Sequence, residues 1–301
     1  MKKFQKCIAI VLSCMMVVGV LAGCSSDKKD EPKKEEPQNQ AAAGEVVGDY
    51  IVLDDSLDEE QYAVAFRKED KALGMAVHDA MKAMIDDGKA AEISKKWFGE
   101  DILLHDLPML NEDNEIKPDD KSLEKVKAAG KLVLGLDDTF PPMGFRDEKN
   151  NIVGFDIDMA KEVASRLGVE LELRPIDWDA KELELSGGKV DCLWNGLSVT
   201  EERLNQMYMP CAYLSNRQIV IIPKDSDIKT IADLKDKVVT LQKGSSSLDA
   251  LEKNPVAKEV KEIKQYPENV TAFMDLKAGR ADAFVVDEVV GRYIIENQGA
   301  K

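Results

Sequence analysis

Apolar residues recur along this chain in two rhythms. Runs of strand length stand at 131–136 (K-L-V-L-G-L), 191–195 (D-C-L-W-N), 217–223 (R-Q-I-V-I-I-P), 237–242 (K-V-V-T-L-Q) and 281–286 (A-D-A-F-V-V). Between them apolar positions fall three and four apart, the spacing of one helical face. That spacing predicts helices over 122–130, 156–168, 180–186, 231–236, 270–279 and 288–297, with others starting after Thr200 and from Ser247. Two further strands, V-E-L-E-L-R-P at 169–175 and K-E-I-K-Q-Y at 261–266, complete the alternation, and Gly130, Gly168 and Gly279 stand where helices stop. Strands alternating with helices predict an α/β fold with mostly parallel sheets covered on both faces, here as two units in series.

The front of the chain carries strand patterns at 50–54 (Y-I-V-L-D) and 62–68 (Y-A-V-A-F-R-K), then two amphipathic helices over Asp70 to Phe98. Residues 50–101 are too few to hold a comfortable core alone. The second unit ends on a helix where the alternation calls for one more strand, and the first lacks helices to finish covering its sheet. The early segment supplies both, so the closing part of the fold is expected at the front, a circular permutation.

What precedes it is of another kind. The opening M-K-K-F-Q-K is basic, Cys7 to Leu21 is almost wholly apolar, and L-A-G-C follows at 21–24. The apolar run of roughly 15 residues is short of the roughly 20 that span a bilayer, so it is expected to be an export signal. Its end resembles the lipobox of bacterial lipoproteins, which implies that Cys24 becomes the lipidated first residue. The other reading is an ordinary signal cut near Ala22 that leaves Cys24 a free thiol. Ser25 to Gly48 is charged and Pro-containing with almost nothing to bury, the composition of a disordered tether, with a span near ~27 Å. The expected order is signal 1–23, lipidated Cys24 and tether 24–48, displaced final strand of the second lobe 49–62, crossing and closing helices of the first lobe 63–104, linker 105–121, first lobe 122–214 and second lobe 215–301.

A formal net charge of −16 argues against nucleic-acid or anionic-membrane binding by the folded part. Only Cys192 and Cys211 remain in the body, as a bridge or as two buried thiols; this is no disulfide scaffold. His78 and His105 lack the spacing of a metal site, and no cofactor is indicated.

Candidate chemistry gathers after strands. Thr200 is a natural N-cap that puts Arg203 in a first helical turn, where free N–H groups and a guanidinium together bind anions; a surface Arg paired with a nearby Glu has the same pattern. Asp287 ends a buried strand at the edge where α/β ligands sit, and equally suits the N-cap of the next helix. Gly244-Ser245-Ser246 opens a helix after a strand. Phe140 and Trp178 follow strands, positions that core packing also fills.

Taken together, D-D-T-F-P-P-M-G-F-R-D-E (137–148), V-G-F-D-I-D-M-A-K-E-V-A-S-R-L-G (153–168), N-G-L-S-V-T-E-E-R (195–203), A-G-R-A-D-A-F-V-V-D (278–287), E-E-Q-Y-A-V-A-F-R-K-E-D and K-K-W-F-G-E-D resemble the polar-amino-acid-binding proteins of ABC importers. The resemblance covers nearly all of 50–301 and departs from that family in one respect, the order, since the Y-A-V-A-F-R-K to W-F-G segment comes last there. It implies a periplasmic-binding-protein-like fold, two α/β lobes joined by two hinge crossings with a free amino acid clamped between. It implies that Arg203, Ser198, Ser245 and Ser246 take the ligand carboxylate. Asp287, Asn195, Gly196 and Ser198 would take the ammonium, and Asp137, Phe140 and Trp178 would meet the side chain. The partners implied are an amino acid, a membrane permease of an ABC importer and, through the lipid, the outer face of the cytoplasmic membrane. A ligand sensor for a signalling partner and, further off, a dehydratase-like enzyme on the same fold are the alternatives; no Ser-His pairing or cleft histidine favours the enzyme.

Overall fold

The computed structural model describes residues 44–298. They belong to one of two compact units, residues 40–301; the other, residues 1–39, lies outside the described residues, as do the export signal, Cys24 and most of the expected tether.

The early segment enters the core of the body. Strand β1 (Gly44–Val47) pairs antiparallel with β2 (Tyr50–Leu53), and β2 pairs with Ile221–Pro223 of a twelve-residue strand, Ala212–Pro223. The last residues of the expected tether are therefore a strand, with Glu45 in an ion pair with Arg292. Composition alone missed it because a sheet edge supplies its hydrogen-bond partners from outside the segment. Two residues, Gly48 and Asp49, join the pair, and a connection that short closes only an antiparallel hairpin; Gly48 takes φ +60° to make it.

The sheet of the second lobe has seven strands. Its path runs β1, β2, Ala212–Pro223, Ala283–Asp287, Val238–Gln242 and Glu262–Tyr266, with β3 (Asp58–Ala63) also on the long strand. Only the last part is parallel, where Val238–Gln242 runs between its two neighbours. The hairpin and the long strand make the rest antiparallel, so the mostly parallel expectation holds for only two of this sheet's six strand pairings. It holds fully for the three-stranded sheet of the first lobe, Cys192–Leu193, Lys131–Leu136 and Glu170–Pro175.

The lobes are joined by one ladder. From Ala63↔Ala212 to Asp58↔Gln218, β3 runs antiparallel beside the long strand, so the two crossings brace each other. The strand expected at 62–68 breaks at Val64, because its pairing passes from the long strand to the first lobe: Ala63 and Ala65 donate to Leu197 and Leu193, and Phe66–Arg67 then pairs with Met207–Tyr208.

Helices α1 (Lys71–Asp86) and α2 (Lys89–Phe98) close the first lobe. The faces of α1 at Leu73, Val77, Ala80, Met81 and Met84 are buried in the main core. They share it with α3 (Ser122–Ala129) and α4 (Phe155–Leu167). The free N–H groups of Ala72 and Leu73 at the start of α1 are satisfied by Asp120 and Ser122, and the Trp97 indole donates to Asp158 at 2.9 Å. The expected linker is more than a spacer, since Pro108 and Leu110 bond to Ala212 and Pro210, continuing the pairing that Leu103 and Leu104, just ahead of it, make with Leu214 and Tyr213. Cys192 and Cys211 are buried free thiols, and burial pushes Cys211 up to about 12.

Candidate functional site

Lobe closes on lobe through polar contacts. Lys181 Nζ, at the head of α5 (Lys181–Ser186) in the first lobe, donates to the Gly244 carbonyl of the second at 2.9 Å; Lys243 pairs with Asp179 at 2.7 Å; and the rings of Phe145 and Tyr293 meet at 5.7 Å. Gln242 Nε2 donates across the gap to Asp137 Oδ2 at 2.6 Å. The residues singled out from the sequence sit along this seam.

Arg203 occupies the first turn of α6 (Glu201–Gln206), whose N-cap Thr200 accepts from the Arg203 amide at 3.1 Å. Its guanidinium is buried and donates to the Ser198 carbonyl at 2.9 Å and to Gly244 O of the other lobe at 3.3 Å. No carboxylate among the described residues pairs with it. A surface ion pair is thus ruled out here: Arg203 is a buried cation held by two carbonyls. Such a group is costly unless an anion joins it.

Asp287, at the end of strand Ala283–Asp287 and only 2% exposed, turns into the seam. Its Oδ1 accepts from the Tyr62 phenol at 2.6 Å and from Asn216 Nδ2 at 2.9 Å. It too has no ion pair among the described residues. Burial, and next the neighbouring Glu60 carboxylate, push Asp287 well above the usual carboxylate range. A buried cation without an anion and a buried acid without a cation are linked by a run of hydrogen bonds through Ser198, Glu60 and Asn216.

The remaining candidates divide. Ser198 Oγ meets Ser246 Oγ at 2.9 Å across the lobes and donates to Glu60 at 2.9 Å. Ser246 opens α7 (Ser246–Lys253), whereas the Ser245 hydroxyl is turned back onto the Gln242 carbonyl at 2.7 Å. Asn195 accepts from the Asp137 amide and leaves its buried Nδ2 without a partner among the described residues. Gly196 gives its amide to Asp156 and lies so close under Phe140 that a Cβ there would come within 2.7 Å of the ring. Trp178 packs with Val133, Leu185, Leu193 and Leu197, so its apolar contacts are those of the first lobe's core. Asp137 is held by Thr139 as well as by Gln242, and burial raises it despite these donors.

Sequence reasoning missed Glu60, Tyr62, Asn216 and Gln218, which line the two crossing strands. Their signal is a period of two: Glu60 and Tyr62, and Asn216 and Gln218, stand two apart and so share one face of their strands, but their neighbours on the other face are polar as well, which hides the pattern in the sequence. It missed Asp156 also, at the start of α4, fully buried and accepting from Gly196 N at 2.7 Å and Tyr213 OH at 2.9 Å. Burial raises Asp156 to about 7, against the pull of those donors.

A hinged pair of α/β lobes that meet over a buried arginine and a buried aspartate defines a solute-binding protein. Residues 132–284 match the bacterial extracellular solute-binding proteins, family 3, and the chain belongs to that family. It is 30% identical over 180 residues to the L-cystine-binding protein TcyJ of Escherichia coli (strain K12), covering 59% of this chain and 66% of that protein. To ABC transporter arginine-binding protein 1 of the same organism it is 34% identical over 164 residues, covering 54% and 65%. The chain thus spans just under two thirds of the length of these curated relatives. Among solved structures, an ABC uptake transporter substrate-binding protein from Streptococcus pneumoniae with bound histidine superposes with a TM-score of 0.58 at 37% identity, covering 60% of this chain and 74% of that one.

Proposed function

We propose that this chain is a receptor that clamps a free amino acid between its lobes and delivers it to the membrane permease of an ABC importer. The observation that carries the reading is that Arg203 and Asp287, each buried and each without an ion partner among the described residues, stand at the two ends of one hydrogen-bonded run through Ser198, Glu60 and Asn216. Arg203 would take the ligand carboxylate with Ser198 and Ser246, and Asp287 the ammonium, with Asn195 and the Gly196 carbonyl near it. Phe140 and Asp137 are the candidates for the side chain; Trp178 would contribute by supporting the floor of the first lobe. Calorimetry of the purified chain against the common L-amino acids tests it: saturable heat with at least one is expected, and no heat with any would overturn it.

The chain acts as a binding protein rather than an enzyme in this reading. His78 and His105, the two histidines, face Asp79 and Asp101 and no nucleophile. Anchoring would come from lipid on Cys24, which would hold the body at the outer face of the cytoplasmic membrane; no helix among the described residues is long and apolar enough to cross a membrane. Growth on the ligand as sole source, lost on deletion, would separate transport from sensing.

The early segment we read as a permuted ending. In support, β2 lies in the second lobe's sheet, β3 is one of the two crossings, and α1 and α2 cover the first lobe. A surface cut near the end of the helix Glu288–Gln298, which β1 flanks through Glu45 and Arg292, is where permutation is tolerated.

A further inference from the structure

The crossing strands bring a second carboxylate to the ammonium end of the cleft. Glu60 Oε1 accepts from Asn216 Nδ2 at 2.6 Å, Gln218 Nε2 at 2.8 Å and Ser198 Oγ at 2.9 Å. The same Asn216 nitrogen reaches Asp287 Oδ1 at 2.9 Å, so the two acids are no farther apart than two hydrogen bonds laid end to end. With its nitrogen fixed by two carboxylates, the Asn216 amide must turn Oδ1 the other way, and that oxygen is buried with no partner among the described residues. Two carboxylates thus come together on one side of Asn216, and its unpartnered Oδ1 adds an acceptor on the other. The arrangement suits a group that is all donor, which is what an ammonium is.

Charges on every side bear on the pair. From β3 come Tyr62, which donates to Asp287, and Asp58, which is paired with Lys253 of α7. From the long strand, Arg217 is committed to Glu288 by two bonds. Arg203 of the first lobe reaches the Ser198 carbonyl and neither acid. A cavity of about 590 Å³ opens beside Glu60 and Ser246 and is walled by Glu201, Glu202 and Asp249, with Lys253 as its one basic side chain. No cation among the described residues forms an ion pair with Glu60 or Asp287.

We propose that Glu60 is a ligand-binding residue that shares the amino acid's ammonium with Asp287, and that the unliganded pair holds one proton which the ammonium displaces. Two carboxylates that share a site do not both ionise readily without a cation. The exchange balances: a carboxyl and a carboxylate with R-NH3⁺ give two carboxylates around R-NH3⁺ and one proton released to solvent. The inference rests on the receptor reading and adds to it a stoichiometric proton release.

The test is calorimetry of the full chain with L-arginine, L-histidine, L-glutamine and L-cystine, all of which carry the α-ammonium, in phosphate and in Tris between pH 5.5 and 8. Heats that differ between the buffers, and affinity that tightens by up to about tenfold per pH unit, are expected in the window where one proton leaves. Glu60→Gln should weaken binding about tenfold or more and move that window at least one pH unit toward acid, since the neighbouring charge that raised Asp287 is gone. Glu60→Asp keeps the charge and should keep the release, which guards against a folding defect in the first variant. Binding with buffer-independent heats, or a Glu60→Gln protein that binds and releases like the parent, would overturn this inference alone. Should none of the four bind, the remaining common L-amino acids are titrated in the same way, and no heat with any of them would overturn the receptor reading and this inference with it.

Discussion

The phenol of Tyr62 donates to Asp287 at 2.6 Å, so the first crossing strand and the last strand of the chain, 225 positions apart, share one buried hydrogen bond. It ties the early segment to Asp287, the acid proposed to take the ammonium. Tyr62→Phe should lower stability by about 1–3 kcal/mol, the cost of removing a donor from a buried acceptor. The urea midpoint with unchanged slope would measure it, and an unaltered midpoint would show the bond to be energetically idle.

Arg203→Ala should weaken amino-acid binding by roughly 2–5 kcal/mol, because it leaves a carboxylate buried and unpaired in the closed cleft. The unliganded protein gives up only two bonds to carbonyls, so its melting should change little. Titration and melting of the same preparation separate these effects; unchanged affinity would remove Arg203 from the site.

Asp137 is the one candidate acid on the side-chain end of the cleft, and it is now satisfied by Gln242 and Thr139. A ligand with a cationic tail would compete for it. Asp137→Asn is expected to reduce lysine or arginine binding at least tenfold more than glutamine binding. A uniform loss across the panel would assign Asp137 to lobe closure instead.

Stability should also depend on pH through Asp156. A carboxyl raised to about 7 in the folded chain, from 3.8, keeps its proton longer folded than unfolded. The folded state therefore binds more protons between about pH 4 and 7, and stability falls as pH rises through that window. Asp156→Asn keeps an oxygen for Gly196 and Tyr213 and should flatten the slope, which over the window amounts to a few kcal/mol. Denaturation of both proteins at pH 5 and pH 8 reads the difference; parallel curves would mean that Asp156 ionises normally.

Deleting residues 49–104 removes β2, both early helices, Glu60 and Tyr62 at once. The product should neither bind ligand nor melt cooperatively, since the first lobe loses its cover and the second a strand and a crossing. A sharply melting fragment with full affinity would make the segment an accessory and end the permutation reading.

Much of this was determined by local pattern. The period of apolar residues placed α1 to α4 and the strands at 131–136 and 238–242 to within a residue or two, because each buries one face whatever its neighbours are. Thr200 capping and the position of Arg203 were local too, fixed within one helical turn. What needed the tertiary structure was everything that depends on a partner far along the chain. The strand at Gly44–Val47 exists only because β2 and the sheet lie beside it. The break at Val64 marks a change of partner, not of sequence. Asp287 and Glu60 were visible as residues, yet only the antiparallel crossing of two strands puts both on Asn216, and it is the burial of Asp287, with Glu60 beside it, that raises Asp287 above an ordinary carboxylate.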